Sequence, residues 1–421
     1  MTCPSYSPIV MPSRRYKVVR DSRLDFVGES YASIYPNLHR YPATMIPQLG
    51  IEILRRIDVK GDSMLDPYCG SGSSFASGVH VGISKLFGFD LNPLAVLISK
   101  VRFTRLNVRL LEQTVTRLQD SIERQRKNKL TRSDLPQITN VNYWFHNADL
   151  SELISIKQKI DAIENSNIRD LCLLAFSETV RDVSLTRKNE FKLYRIPPEK
   201  VSSHKPDTKR IFLDYLNKIT TIYVSVYHPL LAGVAARIMN QPFDAVRQSV
   251  DLVLTSPPYG DSRTTVAYGQ FSTLTNEWLG IKEARKIDSK LMGGRRVVSL
   301  WDSGAISGQL RKISKTNHKR ALEVSSFYHD LAKSIEEISK AVRIGGAAIY
   351  IVGNRRVKDV QLSTDQFIAE QFEKYGFSHE ITFERAISSK SMPSANSPSN
   401  KVGATRGTMT QEFVVICRRT S

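Results

Sequence analysis

The chain has 421 residues with 41% hydrophobic and 9% aromatic side chains, which supports a substantial folded core. Its 60 Lys and Arg against 41 Asp and Glu give a formal charge of +19, and a surplus of that size favours a polyanionic partner, nucleic acid before membrane surface. No apolar run approaches the roughly 20 residues that span a bilayer, MTCPSYSPIVMPSRRYK has no signal-type apolar core, and Cys3, Cys69, Cys172 and Cys417 show neither metal-ligand nor disulfide spacing, so the expectation is a soluble cytoplasmic protein without membrane or metal.

Residues 1–38 read as an irregular N-terminal segment. In YPATMIPQLGIEILRRI, 41–57, apolar residues fall at helical spacing after Pro47. MLDPYCGSGSSFASGVHVGISKLFGFDLNPLAVLISK then reads as strand, Gly-rich turn, helix, short strand and a second helix from Pro93, the start of a βαβ unit. Val108, Leu111, Val115, Leu118 and Ile122 step by three and four along an amphipathic helix that enters the basic stretch RQRKNKLTR, 124–132. Helical patterns follow at 150–163, 168–183 and 208–239, interrupted by RIPPEKVSSHKPDTKR.

Strand signals return after Pro242 with SVDLVLTSPPY. Residues 260–325 show no clear periodicity and read as a mobile stretch. Helix 326–343 leads to the buried-strand pattern IGGAAIYIVGN. GFSHEITFERAI and QEFVVICRR are two more strands, separated by the low-complexity SSKSMPSANSPSNKVGATRG, which reads as a flexible loop. The expected architecture is an open α/β sheet from 39–100 and 241–421, with a mostly helical insertion at 101–240.

In LDPYCGSGSS, Gly70 and Gly72 follow a strand and open a helix, so a ligand can approach the backbone at the carboxyl edge of the sheet. The turn lacks the Lys of a phosphate-binding loop and the full dinucleotide spacing. Asp90 ends the next strand, where an acid accepts hydrogen bonds from ribose hydroxyls. Asp66 lies in the turn, where a carboxylate receives an ammonium group. The plainer alternative is a tight turn with solvated acids. A nucleoside carrying an amino-acid head points to S-adenosylmethionine.

LDPYCGSGSS with GFDLNPLA resembles motifs I and II of the amino-methyltransferases, TSPPYG resembles their motif IV, and HRYPATMIP resembles the segment preceding motif I in bacterial DNA N4-cytosine methyltransferases. The resemblance covers roughly 39–100 and 240–420, with the cofactor turn before the catalytic loop. It implies a Rossmann-like methyltransferase fold, a mostly parallel sheet with a C-terminal antiparallel strand. It also implies S-adenosylmethionine as cofactor, with Asp66, Tyr68, Gly70, Ser71 and Gly72 around its methionine portion, Tyr41 at the methionine end and Asp90 on the ribose. Asp244 matches an acid contacting the adenine amine, and reads equally as a helix N-cap.

Exocyclic base amines are poor nucleophiles because their lone pair is conjugated into the ring. In the Ser-Pro-Pro-Tyr loop the Ser256 hydroxyl and Pro257 carbonyl are acceptors for the amine hydrogens, and Pro257 and Pro258 stiffen the frame. Tyr259 offers a ring to a base taken out of the duplex. The transfer is one in-line displacement. Within the family Ser at the first position goes with cytosine and Asp or Asn with adenine, so the resemblance implies N4 methylation of cytosine in double-stranded DNA. A cognate restriction endonuclease acting on the same site is the implied partner. Adenine-N6 methylation, RNA guanine-N2 methylation and a silent binding module are the rival readings. Carbon-5 methylation needs a thiolate, normally from Pro-Cys, and no Pro-Cys pair occurs. Arg263, Tyr268, Arg295, Arg296 and RKISKTNHKR, 311–320, are candidate nucleic-acid contacts, each basic run reading alone as a solvated face.

Overall fold

A computed structural model describes residues 15–29, 34–42, 45–58, 60–124, 136–188, 190–243, 249–261, 267–387, 395–396, 406–407 and 409–421. Eight strands form one sheet: β1 (Val18–Arg20), β2 (Ser63–Asp66), β3 (Lys85–Phe89), β4 (Ala235–Met239), β5 (Val250–Thr255), β6 (Val342–Val352), β7 (Phe377–Ala386) and β8 (Gln411–Arg419). Their spatial order is β1-β7-β8-β6-β5-β2-β3-β4. Neighbours run parallel except β8, which is antiparallel to both β6 and β7. This is the Rossmann-like methyltransferase architecture, a mostly parallel sheet with one C-terminal antiparallel strand.

The central strands are apolar on both faces because helices cover both. Ala347, Ile349 and Ile351 of β6 join one core, while the alternate Ala348, Tyr350 and Val352 join the other. The first core is closed by α1 (Pro47–Arg56), α2 (Ser73–His80), α3 (Pro93–Phe103) and the helices between β3 and β4. The second is closed by α9 (Gly304–Thr316), α10 (His318–Ala341) and α11 (Thr364–Lys374).

Between α3 and β4 run α4 (Val108–Glu123), α5 (Asn147–Asp161), α6 (Ser166–Val183) and α7 (Thr208–Ile222). Leu111, Val115, Leu118 and Ile122 of α4 are all buried. Asn107, Asn165 and Asp207 cap α4, α6 and α7 with their side-chain oxygens. Helix α6 packs on α3, α5, α7 and α8 (Tyr268–Trp278), so these helices share the core of the sheet.

Three expectations are corrected. The helical pattern over 208–239 stops short, and Ala235–Met239 is an edge strand paired with β3; its AARIM is apolar at four of five positions and so shows no alternation with a period of two. Residues 260–325 contain α8 and α9. In α8 buried Ser272 and Thr273 satisfy their hydroxyls on backbone carbonyls one turn back, which hides the helical period. In α9 the period was present in Ile306, Leu310 and Ile313. Within 1–38, Val18–Arg20 adds a strand parallel to β7, a pairing that lies more than 350 residues away in sequence. The basic stretch 125–132 and most of 388–407 lie outside the described residues.

Candidate active site

The strand order reverses between β2 and β5, and open α/β sheets bind ligands beyond the carboxyl ends of strands at such a point. A cleft of about 970 Å³ lies there. The turn after β2 gives its floor, Asp66 to Ser71. Tyr41, Asp90 and Asn92 form one wall, Gln241 to Phe243 with Ser256 and Pro258 another, and α10 adds Asp330, Lys333, Ser334 and Glu337.

Gly70 (φ +50°) and Gly72 (φ +79°) hold left-handed conformations in the turn. A methyl group on Gly72 would stand 2.6 Å from the Phe103 ring, so α3 can approach only a glycine. Ser99 of α3 donates to the Gly70 carbonyl at 2.7 Å. The fully buried Arg102 donates to the Ser71 carbonyl at 2.5 Å and to the Tyr227 hydroxyl at 2.7 Å. Tyr227 lies in a short π-helical turn and passes its own proton to the Pro36 carbonyl. The backbone of the turn is thus clamped from behind while its front faces the cleft. Burial pushes the Cys69 thiol well above its ordinary pKa, which suits packing and not nucleophilic attack.

Both aspartates face this floor. Asp66 accepts from Tyr68 N at 3.0 Å, from Thr255 Oγ1 at 2.6 Å and from the Ser74 hydroxyl. The Thr255 bond ties the end of β5 to the glycine turn. Asp90 accepts from Gly70 N at 3.0 Å and Asn92 N at 2.8 Å. Burial is the main cause raising each carboxyl to about 6, partly offset by these donors.

Tyr41 reaches the cleft on a segment tied to the inserted helices. The Arg40 guanidinium meets Glu178 at 2.8 Å and Asp182 at 2.9 Å, both on α6, and Arg40 N donates to Glu178 at 2.7 Å. The Tyr41 hydroxyl accepts from Asn92 Nδ2 at 3.1 Å, and its ring stacks on Tyr268 with centroids 5.9 Å apart. Tyr268 also lines the cleft. Asn92, passed over in the sequence, is fully buried, caps α3 and accepts from Asn276 Nδ2 at 3.1 Å. Asn before Pro at a helix start was its available signal.

The Ser-Pro-Pro-Tyr loop divides. Ser256 and Pro258 line the cleft, and Pro257 is buried. Tyr259 is not among the lining residues; its hydroxyl accepts from Ser256 at 3.2 Å and donates to Glu412 at 3.0 Å. Two residues later, buried Asp261 meets Arg320 and Arg355, each at 3.0 Å. Arg320, within the basic 311–320 run, also pairs with Glu323, so its charge is used inside the protein. Asp261 and Glu412 were missed, the second because Tyr259 lies 153 residues away in the sequence.

Arg295 is exposed and lines the cleft; Arg296 is exposed outside the lining. Asp244 and Arg263 lie outside the described residues. Among the described residues no group of three or more His, Cys, Asp or Glu is placed to hold a metal ion, and no helix is long and apolar enough to cross a membrane.

No family model matches the chain. It is 34% identical over 424 aligned residues to the type II methyltransferase M.MvaI of Kocuria varians, covering 94% of this chain and 93% of that one. A shorter match, 28% identical over 99 residues, links 23% of the chain to 18% of the type II methyltransferase M.MjaII of Methanocaldococcus jannaschii. Among solved structures, the rRNA methyltransferase aviRa from Streptomyces viridochromogenes aligns over 96% of both chains at 10% identity and a TM-score of 0.29.

Proposed function

The chain belongs to the type II DNA methyltransferases, and from that premise we propose that it methylates the N4 amine of cytosine in duplex DNA, with S-adenosylmethionine as methyl donor and the target base flipped into the cleft. One observation carries the reading: the cleft at the switch point brings Ser256 and Pro258 of the catalytic loop against Asp66, Gly70 and Asp90 of the glycine turn.

The residues present fit the cofactor. Its volume matches a nucleoside with an amino-acid tail. Asp90 keeps acceptor capacity beyond its two backbone donors, as ribose hydroxyls require. A carboxylate has about four lone-pair sites, and three donors leave Asp66 room for one contact from an ammonium group. Tyr41, Tyr68, Ser71 and Gly72 are assigned to the methionine end, and Asp244 to the adenine amine.

When bound, S-adenosylmethionine supplies a methyl group activated on a sulfonium. The protein's part is to hold and aim the amine. Ser256 Oγ and the Pro257 carbonyl accept the two amine hydrogens and draw the nitrogen out of conjugation; the new C–N bond forms as the C–S bond breaks, and the amine then releases one proton to solvent. Pro257 and Pro258 keep the acceptors from rotating away. The ring of Tyr259 is assigned to the flipped base, and Arg295 and Arg296 to DNA phosphates. Protection of host DNA from an endonuclease with the same target is the corresponding biological role.

Ser256→Ala tests the assignment. Turnover is expected to fall about 100-fold, the scale of losing one preorganised group, with cofactor Kd within about twofold. Equal losses in turnover and cofactor affinity would remove Ser256 from the chemistry.

A further inference from the structure

A hydroxyl has one proton to donate, while an ionised carboxylate only accepts. Glu412 on β8 lies directly across from Arg385 on β7. Both side chains are buried, and Arg385 donates from Nε at 2.9 Å and from a terminal nitrogen at 2.7 Å to one Glu412 oxygen. A third Arg385 nitrogen donates to the Leu24 carbonyl at 2.8 Å, which fixes the pair. The guanidinium thus meets the Glu412 carboxylate in charge-assisted hydrogen bonds.

The other Glu412 oxygen lies 3.0 Å from the Tyr259 hydroxyl, so Tyr259 spends its proton there. Toward Ser256, 3.2 Å away, Tyr259 can then only accept, and Ser256 must donate. We propose that Glu412 is a positioning residue that acts through Tyr259 to turn the Ser256 proton away from the cleft, leaving the Ser256 oxygen as a fixed acceptor for the target amine. The inference rests on the reading of Ser256 given above and extends it to a residue 156 positions further along the chain.

The consequence is chemical selectivity. An amine presents two hydrogens to such an acceptor, whereas a base with a carbonyl at the same place presents none and leaves Ser256 unpaired. Burial and the Glu412 charge both hold the Tyr259 phenol protonated far above its ordinary range, so the order of donors persists across neutral pH.

A double-mutant cycle on the full chain tests the relay, read as single-turnover methyl transfer to unmethylated duplex DNA. Tyr259→Phe keeps the ring and the Arg385–Glu412 pair. It is expected to slow transfer about tenfold, with S-adenosylmethionine Kd within about twofold, and to change the rate less than about twofold when Ser256 is already Ala, because the hydroxyl acts only through Ser256. Glu412→Gln, whose amide oxygen faces Arg385 and whose NH₂ faces Tyr259, reverses the donor order and is expected to slow transfer at least as much, again without further loss in the Ser256→Ala background. Equal costs of Tyr259→Phe in both backgrounds would overturn the relay alone. A full-rate Glu412→Gln enzyme would overturn the part assigned to Glu412. A full-rate Ser256→Ala enzyme would overturn the reading beneath it.

Discussion

Asp66 and Asp90 meet hydrogen-bond donors but little water, and burial lifts both carboxyls to about 6. An acid harder to ionise when folded than when unfolded favours the fold at low pH. That contribution is complete below about 4, the unfolded value, and is lost as pH rises through about 6. Asp90→Asn removes this penalty, so its melting temperature relative to the native chain is expected to rise between pH 4 and 7; a constant difference would contradict the assigned burial. With Asp90 in its proposed ribose-binding role, cofactor binding has the opposite sign, because ribose hydroxyls need the ionised acceptor. Affinity for S-adenosylmethionine is expected to fall as pH drops below about 6, and Asp90→Ala to weaken binding more than it slows the bound enzyme, both measurable by calorimetry. That Asp66, Gly70, Asp90 and Ser256 would line one cleft was legible because each stands in a short stretch whose neighbours announce it. Asn92 and Asp261 also sit beside motifs, but what makes them matter is contact with Asn276, Arg320 and Arg355, which no local pattern contains.

At the scale of elements, α3 and the glycine turn are one device. Gly72→Ala forces a side chain into a left-handed backbone, at roughly 1–2 kcal/mol, and drives a methyl group against Phe103. A fall of several degrees in melting temperature together with weaker cofactor binding is expected, and an unchanged melting temperature would contradict the close approach. Asp261 anchors the far end of the Ser-Pro-Pro-Tyr loop to α10 and to the segment after β6. Asp261→Asn takes a buried countercharge away from the part-buried Arg320 and Arg355, so loss of stability and slower transfer are expected, with thermal melting and single-turnover rates as the readouts. The sheet strands with long apolar runs, β5 and β6, were legible in sequence because burial on both faces writes itself as composition. Strands β1 and β4 were not. They are short edges held by backbone pairing with a neighbour, and their side chains carry almost no signal.

At the scale of the molecule, the sheet and its reversed strand order open one cleft, and the charge of +19 favours a polyanionic partner. DNA affinity is expected to fall steeply with salt as phosphate contacts are screened. The inserted helices hold Tyr41 in place through Arg40, Glu178 and Asp182, a role that was invisible in a segment read only as helical. The identity of the methylated atom is the central claim. Incubation with unmethylated duplex DNA and methyl-labelled S-adenosylmethionine, followed by digestion to nucleosides and mass identification, tests it most directly. N4-methylcytosine as the labelled product is the predicted result; N6-methyladenine, or label found only in RNA when both nucleic acids are supplied, would contradict it.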